Sequence, residues 1–289
     1  SIARKLPGDF MPNDFFRLLQ SKFRHYAVLP RLKDVIHTGA FKNCLFLLGI
    51  LAFAKACLML APESLTASGS SAVNGRQLPI YCVQTDQKKV ALSFDAAWGN
   101  EDTQKILEIL KKRNVHATFF MTGGWVKNYP EDVKAILAAG HDLGNHSENH
   151  KNMSQLSADE QRQELLSVHD RVKELTGYEM FLFRPPYGDY DDSVVLTAKE
   201  CGYYPIQWDV DSLDWKDYGV EAILDKVLNH KHLGNGSIIL CHNGAKYTAQ
   251  ALDGLIAGLQ EKGYQIVPVS ELILKDNYHM DAEGRQIPD

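Results

Sequence analysis

Cysteine is scarce in this chain. There are five in 289 residues (Cys44, Cys57, Cys82, Cys201 and Cys241), and no two are spaced as CxxC. That excludes a zinc ribbon or a thioredoxin-like pair, and an odd, low count yields no disulfide framework. An excess of basic charge is also missing: 31 Lys and Arg stand against 36 Asp and Glu, a net charge of −5. Nothing in that balance supports a nucleic-acid partner. Glycine (21) and proline (11) are too few for a collagen-like or low-complexity chain. With 45% hydrophobic and 23% charged residues, the composition is that of a folded globular protein. The length suits one large domain with an appendage, or two small domains.

Long apolar runs are absent but for one. Residues 44–60 read CLFLLGILAFAKACLML, with Lys55 as the single charge. A membrane-spanning helix needs roughly 20 apolar residues, so this run is at the short limit. The flank before it is basic, with Arg4, Lys5, Arg17, Lys22, Arg24, Arg31, Lys33 and Lys42 against Asp9, Asp14 and Asp34. A basic flank followed by an apolar run is the pattern of an uncleaved signal anchor whose N-terminus stays in the cytoplasm. A cleaved signal peptide has a shorter leading segment than the 43 residues present. Lys55 opposes the anchor reading, because a charge near mid-helix costs on the order of 3 kcal/mol, although snorkelling relieves part of it. The alternative is a buried soluble helix. Residues 44–61 are read as a single-pass membrane anchor, after a basic segment (1–43) of no assignable role. Residues 62–78, rich in Ser, Gly and Ala, read as a flexible linker.

From residue 79 the pattern becomes regular. Short apolar runs at 89–95, 117–121, 181–183, 203–208, 237–241 and 265–267 read as buried strands. Helical spacing covers 103–112, 130–139, 191–201, 220–228 and 247–261. Ser157-x-x-Glu160 is a capping box that opens a helix to about residue 175. Strands alternating with helices imply a mainly parallel sheet. About seven such units point to an α/β fold, a distorted (β/α) barrel over 79–275, with an open doubly wound sheet as the alternative. A polar tail, 276–289, is expected to be mobile.

In β/α barrels chemistry gathers where strands end. Asp95 follows ALSF. His146-Ser-Glu-Asn-His150 follows residues 142–145, and Arg184-Pro-Pro-Tyr-Gly188 follows FLF. Asp209, Asp211, Asp214 and Trp215 follow YYPIQW, and His242 follows SIILC. His146 and His150 are four apart, so on a helical turn both imidazoles would reach one metal ion. Alone, such a pair also occurs on solvated helix faces. Neutral imidazole suits zinc, cobalt, nickel or iron. His116, His141, His169, His230 and His232 lie off these motifs and read as surface or structural residues.

Taken in order, these stretches resemble the five motifs of the NodB-type polysaccharide deacetylases, carbohydrate esterase family 4. The resemblance runs through Phe94-Asp95, His146-Ser-x-x-His150, Arg184-Pro-Pro-Tyr-Gly188, Asp211-Ser-Leu-Asp214-Trp215 and Leu240-Cys-His242, over residues 80–274. It implies metal-dependent removal of N-acetyl groups from an amino-sugar polymer such as peptidoglycan or chitin. His146 and His150 would hold one divalent ion, with zinc the first expectation. Asp95 would be the general base and His242 the general acid. Arg184 would orient Asp95, and Asp214 would favour protonated His242. The Tyr187 N–H would face the developing oxyanion, while Trp215 and Leu240 would line a pocket for the acetyl methyl.

One departure stands out. The family pattern has two adjacent aspartates, the second being the third metal ligand, and here that position is Ala96. Water or Asp95 could complete the shell, Asn100 or another neighbour could substitute, or the metal is weakly held. The form FDxxWGN resembles the sporulation-associated branch of the family, which points to peptidoglycan in a Gram-positive spore former. The expectation is a membrane-anchored peptidoglycan N-deacetylase with its catalytic domain outside the cytoplasmic membrane. The alternatives are a glycan-binding wall protein with impaired catalysis, or a deacetylase of another substrate such as chitin oligomers.

Overall fold

The structure is a computed structural model that describes residues 72, 73 and 75–289. The basic segment, the expected anchor at 44–61 and most of the linker lie outside the described residues. Among the described residues no helix is long and apolar enough to cross a membrane.

Strands β1 (Ala72–Val73) and β2 (Arg76–Gln77) form a small antiparallel pair, followed by β3 (Cys82–Val83). The main sheet contains β4 (Lys89–Ala96), β5 (Thr118–Met121), β6 (Asp142–Asn145), β7 (Leu182–Phe183), β8 (Tyr204–Pro205), β9 (Val210–Asp211), β10 (Ile238–His242) and β11 (Gln265–Val267). Its order is β8-β7-β6-β5-β4-β10-β9, with β11 also paired to β4, and every pairing is parallel. The sheet is curled. Its two edge strands, β8 and β9, are joined by residues 206–209 alone. Five residue steps reach at most ~17 Å, so the edges of so wide a sheet meet only if it bends round. The seam is filled by the segment before β4. Ile80 bridges Ile206, and Cys82 bridges Ser237. The architecture is thus a distorted β/α barrel, and the open doubly wound alternative is set aside.

Side chains alternate across each strand. In β4, Val90, Leu92, Phe94 and Ala96 join the large apolar cluster under the helices, and Ala91 joins the smaller cluster inside the curl. Ser93 and Asp95 follow Ala91 along that inner face. Phe120 of β5 also points inward, and directly opposite it on β6 is Gly144. A Cβ at Gly144 would collide with the Phe120 ring, so glycine is needed there.

Helices cover the outer face where the spacing predicts them. They include Thr103–Arg113, Pro130–Ala138, Ala158–Thr176, Asp192–Glu200, Val220–Leu228 and Thr248–Glu261. The capping box forms: Ser157 accepts from the Glu160 N–H, and the Glu160 carboxylate accepts from the Ser157 N–H at 2.9 Å. Gly177 closes that helix with φ 75°.

Three regions differ from expectation. The end of the expected linker is ordered: it forms the β1–β2 pair, and Leu78 is buried. β6 reads Asp-Leu-Gly-Asn, a composition without strand character, yet all four residues are buried. Its polar groups are individually matched. Asp142 accepts from Thr118 Oγ1 at 2.9 Å and from Ser270 Oγ at 2.7 Å. Asn145 Nδ2 donates to the Leu165 carbonyl at 2.8 Å. The polar tail is not loose either. β12 (Tyr278–Met280) and β13 (Arg285–Pro288) form a hairpin, and β13 adds to β3 in parallel. Tyr278 and Met280 are buried, so alternate positions of this polar stretch still feed a core.

His141, an off-motif histidine, makes a structural bond. Its Nδ1 accepts the Ala117 N–H at 3.2 Å, and burial pushes its pKa down to about 4. A histidine kept neutral in the fold contributes stability above its unfolded pKa of about 6.5, lost as pH falls towards 4. Thermal melts from pH 7 to 4 should therefore show a progressive loss. His141→Asn retains an acceptor and should reduce the slope by up to about 3 kcal/mol over that window. An unchanged slope would mean that His141 does not contribute to it.

Candidate active site

The strand ends carry the site. Asp95 stands in register with His242 on the adjacent β10. Arg184 is fully buried just beyond β7. Its Nη1 donates to Asp95 Oδ1 at 2.7 Å, and its Nη2 donates to Ser93 Oγ at 2.9 Å and the Gln207 carbonyl at 3.1 Å. The guanidinium lies 4.2 Å from the Phe120 ring centroid. Burial pushes the Asp95 carboxyl up, but the charge of Arg184, with His146 and His242 adding, outweighs it and holds Asp95 below the usual range. It is a carboxylate at neutral pH.

Asp95 Oδ2 faces His146 Nε2 at 3.6 Å. The other His146 nitrogen, Nδ1, is 2.7 Å from the Arg184 carbonyl oxygen. A carbonyl only accepts, so Nδ1 carries the proton and Nε2 presents its lone pair. Burial pushes the His146 pKa down to about 4, and burial likewise lowers that of His150 against the opposing charge of Asp95. Both rings are neutral at pH 7, as metal ligands must be.

The two histidines meet, with ring centroids 4.9 Å apart, but not on a helical turn. Residues 146–152 form a loop, and Ser147 (φ 66°) and His150 (φ 53°) are left-handed. Ser147 Oγ accepts the His150 N–H at 3.0 Å, and Asn145 Oδ1 accepts the Ser147 N–H at 3.0 Å. The helical-face argument for HxxxH is therefore corrected: the rings converge through a tight loop.

On the opposite side, His242 Nδ1 lies 2.7 Å from Asp214 Oδ1. Asp214 Oδ2 accepts the His242 N–H at 2.7 Å and Thr248 Oγ1 at 2.6 Å. Burial alone would lower the His242 pKa, but its bond to Asp214 and the charges of Asp214, Asp95 and Asp211 raise it. Paired positions on neighbouring strands thus hold a carboxylate kept ionised and an imidazole whose protonated form is favoured.

The other expected residues are placed as follows. Tyr187 is left-handed (φ 61°) and 67% exposed, its ring 4.5 Å from that of His150. Leu240 is buried two residues below His242. Trp215 is 49% exposed, with Lys216 Nζ 4.9 Å from its ring centroid. Asp209 lies outside this group, its carboxylate engaged by the Ile238 N–H at 2.8 Å and Ser237 Oγ at 2.9 Å. Two residues went unpredicted. Trp98 stacks on His242 at 5.3 Å and 28°, and Thr248 supports Asp214. The position of Trp98 within FDAAWGN is the only sequence signal for it, and Thr248 had none.

Asn100 is not held at the histidines: its amide donates to Asp132 at 2.5 Å. Ala96 is fully buried in the outer apolar cluster. Among the described residues no group of three His, Cys, Asp or Glu side chains has the spacing of a metal centre. What is present is two neutral imidazoles and a carboxylate that is already paired. The two imidazoles are donors of the kind a divalent ion takes, and they would hold one with its remaining positions left to water.

The profile of the polysaccharide deacetylase family matches residues 83–206. Peptidoglycan-N-acetylmuramic acid deacetylase PdaA of Bacillus subtilis is 35% identical over 206 residues, 70% of this chain and 78% of PdaA. The chain belongs to the polysaccharide deacetylase family. Another family relative, an uncharacterized 30.6 kDa protein of Geobacillus stearothermophilus, is 39% identical over 68% of this chain and 74% of its own. Among solved structures, BA3943 of Bacillus anthracis, described as a CE4 family pseudoenzyme, is 37% identical with a TM-score of 0.65, covering 73% of each chain. A mutant of it is described as having restored enzymatic activity.

Ala96→Asp probes the missing ligand. A carboxylate in that buried position is tolerated only beside a cation. The metal-free variant should melt below the parent, and zinc should stabilise it more than it stabilises the parent. Equal zinc affinity in the two proteins would show that the third ligand already comes from elsewhere.

Proposed function

We propose that residues 79–275 form a metal-dependent N-deacetylase acting on the amino sugars of a cell-wall polysaccharide, with peptidoglycan as its substrate. One observation carries the reading: Asp95 and His242, in register on adjacent strands, are paired with Arg184 and Asp214, which favour the carboxylate of the first and the imidazolium of the second. Amide hydrolysis needs such a pair, a base towards the attacking water and an acid towards the departing nitrogen. The name of PdaA supports the substrate class.

A divalent ion held by His146 and His150 would polarise the acetyl carbonyl and acidify water. Asp95 takes the proton of the attacking water, its Oδ1 fixed by Arg184 so that Oδ2 faces the reaction. The left-handed turn at Tyr187 offers its backbone N–H to the developing oxyanion. His242, held by Asp214 through Nδ1, delivers a proton from Nε2 to the amine as the C–N bond breaks. The products are acetate and a free amino sugar. Trp98, stacked on the His242 ring and 49% exposed, shields one face of that acid. We further propose that residues 44–61 anchor the chain, with the catalytic domain outside the membrane. A coil-like linker at 62–71, before the β1–β2 pair, would span roughly 16–19 Å, within reach of nearby wall polymer. The FDxxWGN form supports a role in sporulation.

A second reading, a glycan-binding protein with impaired catalysis, is favoured by Ala96 and by the likeness to BA3943. The retained Asp95, Arg184, Asp214 and His242 oppose it.

Incubating the full chain with peptidoglycan and zinc, cobalt, nickel or iron, and then assaying acetate and analysing the glycan by mass spectrometry, separates the readings. Acetate release and loss of acetyl from one sugar are expected, and no release with any of these ions supports the binding reading. Asp95→Asn should lower turnover at least 100-fold with the melting profile retained, and a surviving rate would overturn the base assignment. Asp214→Asn removes the charge that raises the His242 pKa. The alkaline limb of the rate profile should move to lower pH, whereas an unmoved limb would mean that His242 is not the acid.

A further inference from the structure

The loop carrying the two histidines is held from two sides. On one side, the Gly123 N–H donates to the Ser147 carbonyl at 3.0 Å and the Gly124 N–H to the Glu148 carbonyl at 3.4 Å. On the other, the Ala158–Thr176 helix presents Glu164 and Arg171. The Glu164 carboxylate accepts the Asn149 N–H at 2.7 Å and Asn149 Nδ2 at 2.8 Å. Arg171 forks onto Glu148 at 2.7 and 2.9 Å, and its Nη1 also donates to the Gly123 carbonyl at 3.0 Å. One guanidinium therefore ties the loop both to its own helix and to the start of the short helix Gly123–Asn128. The junction is tight, since a Cβ at Gly123 would collide with the Glu148 carboxylate and crowd Arg171.

The loop needs such support. Ser147 and His150 are non-glycine residues at φ 66° and 53°, a conformation costing roughly 1–2 kcal/mol per residue. His146 is fixed independently, by the end of β6 and by the Arg184 carbonyl. His150 is held through the loop, by the Ser147 hydroxyl on its own N–H. Relaxation of the loop would thus move one ring and leave the other in place.

We propose that Arg171 is a positioning residue: by gripping Glu148 and the Gly123 carbonyl together, it holds the 147–150 loop left-handed and keeps the His150 ring beside that of His146. The consequence for metal binding rests on the function proposed above, whereas the loop geometry does not.

The test uses the full chain, Arg171→Met and Arg171→Lys, which keeps the charge but cannot fork. In the metal-free protein, amide exchange at Asn149 and His150, and the through-space NMR contact between the His146 and His150 rings, report the loop. Arg171→Met should exchange about tenfold faster and lose the ring contact, with Arg171→Lys between it and the parent. Zinc affinity by chelator competition should fall about 10–100-fold in Arg171→Met. Parent-like exchange with an intact ring contact in the variants would overturn the proposal, as would a zinc affinity equal to that of a zinc-binding parent. A parent that takes up no zinc would bring down the metal reading, and exchange with ring contact would still decide the role of Arg171. Should Arg171→Met not fold, Arg171→Lys supplies the comparison.

Discussion

A guanidinium without solvent contact needs partners for its charge, and Arg184 finds them at its two terminal nitrogens: Nη1 donates to Asp95 and Nη2 to Ser93 and the Gln207 carbonyl, while Nε has none. Much of the site follows from this. An unpaired charge at that depth would cost several kcal/mol, so the strand carrying Asp95 and the strand leading to Arg184 are coupled wherever the protein is folded. The same residue offers its carbonyl to His146 Nδ1 and so selects the ring nitrogen left for a ligand. Phe120 lies against the guanidinium, and Phe120 in turn requires Gly144. A glycine in the neighbouring strand is thus tied to the ionisation of the base.

The histidines show how environment divides one side-chain type into roles. His141 and His146 are buried without sufficient negative charge and stay neutral. His242, equally a strand-end residue, is raised because a buried carboxylate receives both its ring and its backbone N–H. His169 bridges Tyr203 and Glu179 on the outer face at 2.9 Å each, a structural task. Composition cannot sort these, because the difference lies in the atom facing each ring.

Much of the site could be read along the chain, since each motif is contiguous and all but the His146–His150 stretch follow an apolar run. The pairing of Arg184 with Asp95 and of Asp214 with His242 was expected and is found. Other features were hidden for identifiable reasons. β6 is polar because its side chains are matched by distant partners such as Ser270 and Tyr203. The tail joins the fold through backbone pairing with β3, which needs no apolar run. The convergence of His146 and His150 was expected for the wrong reason, since spacing of four suggests a helix while two left-handed residues build a loop.

By itself the sequence determined the alternation of strands and helices, the capping signals and the identity of the chemical groups at each strand end. These are local properties, set by periodicity and by contiguous residues. Only the tertiary structure decided that the sheet curls onto its own edges, which His146 nitrogen is free, that Asn100 is engaged by Asp132, and that Trp98 lies on His242. Each of these depends on atoms tens of residues apart. Burial and hydrogen bonding across the barrel, not propensity along the chain, choose among the conformations that the sequence leaves open.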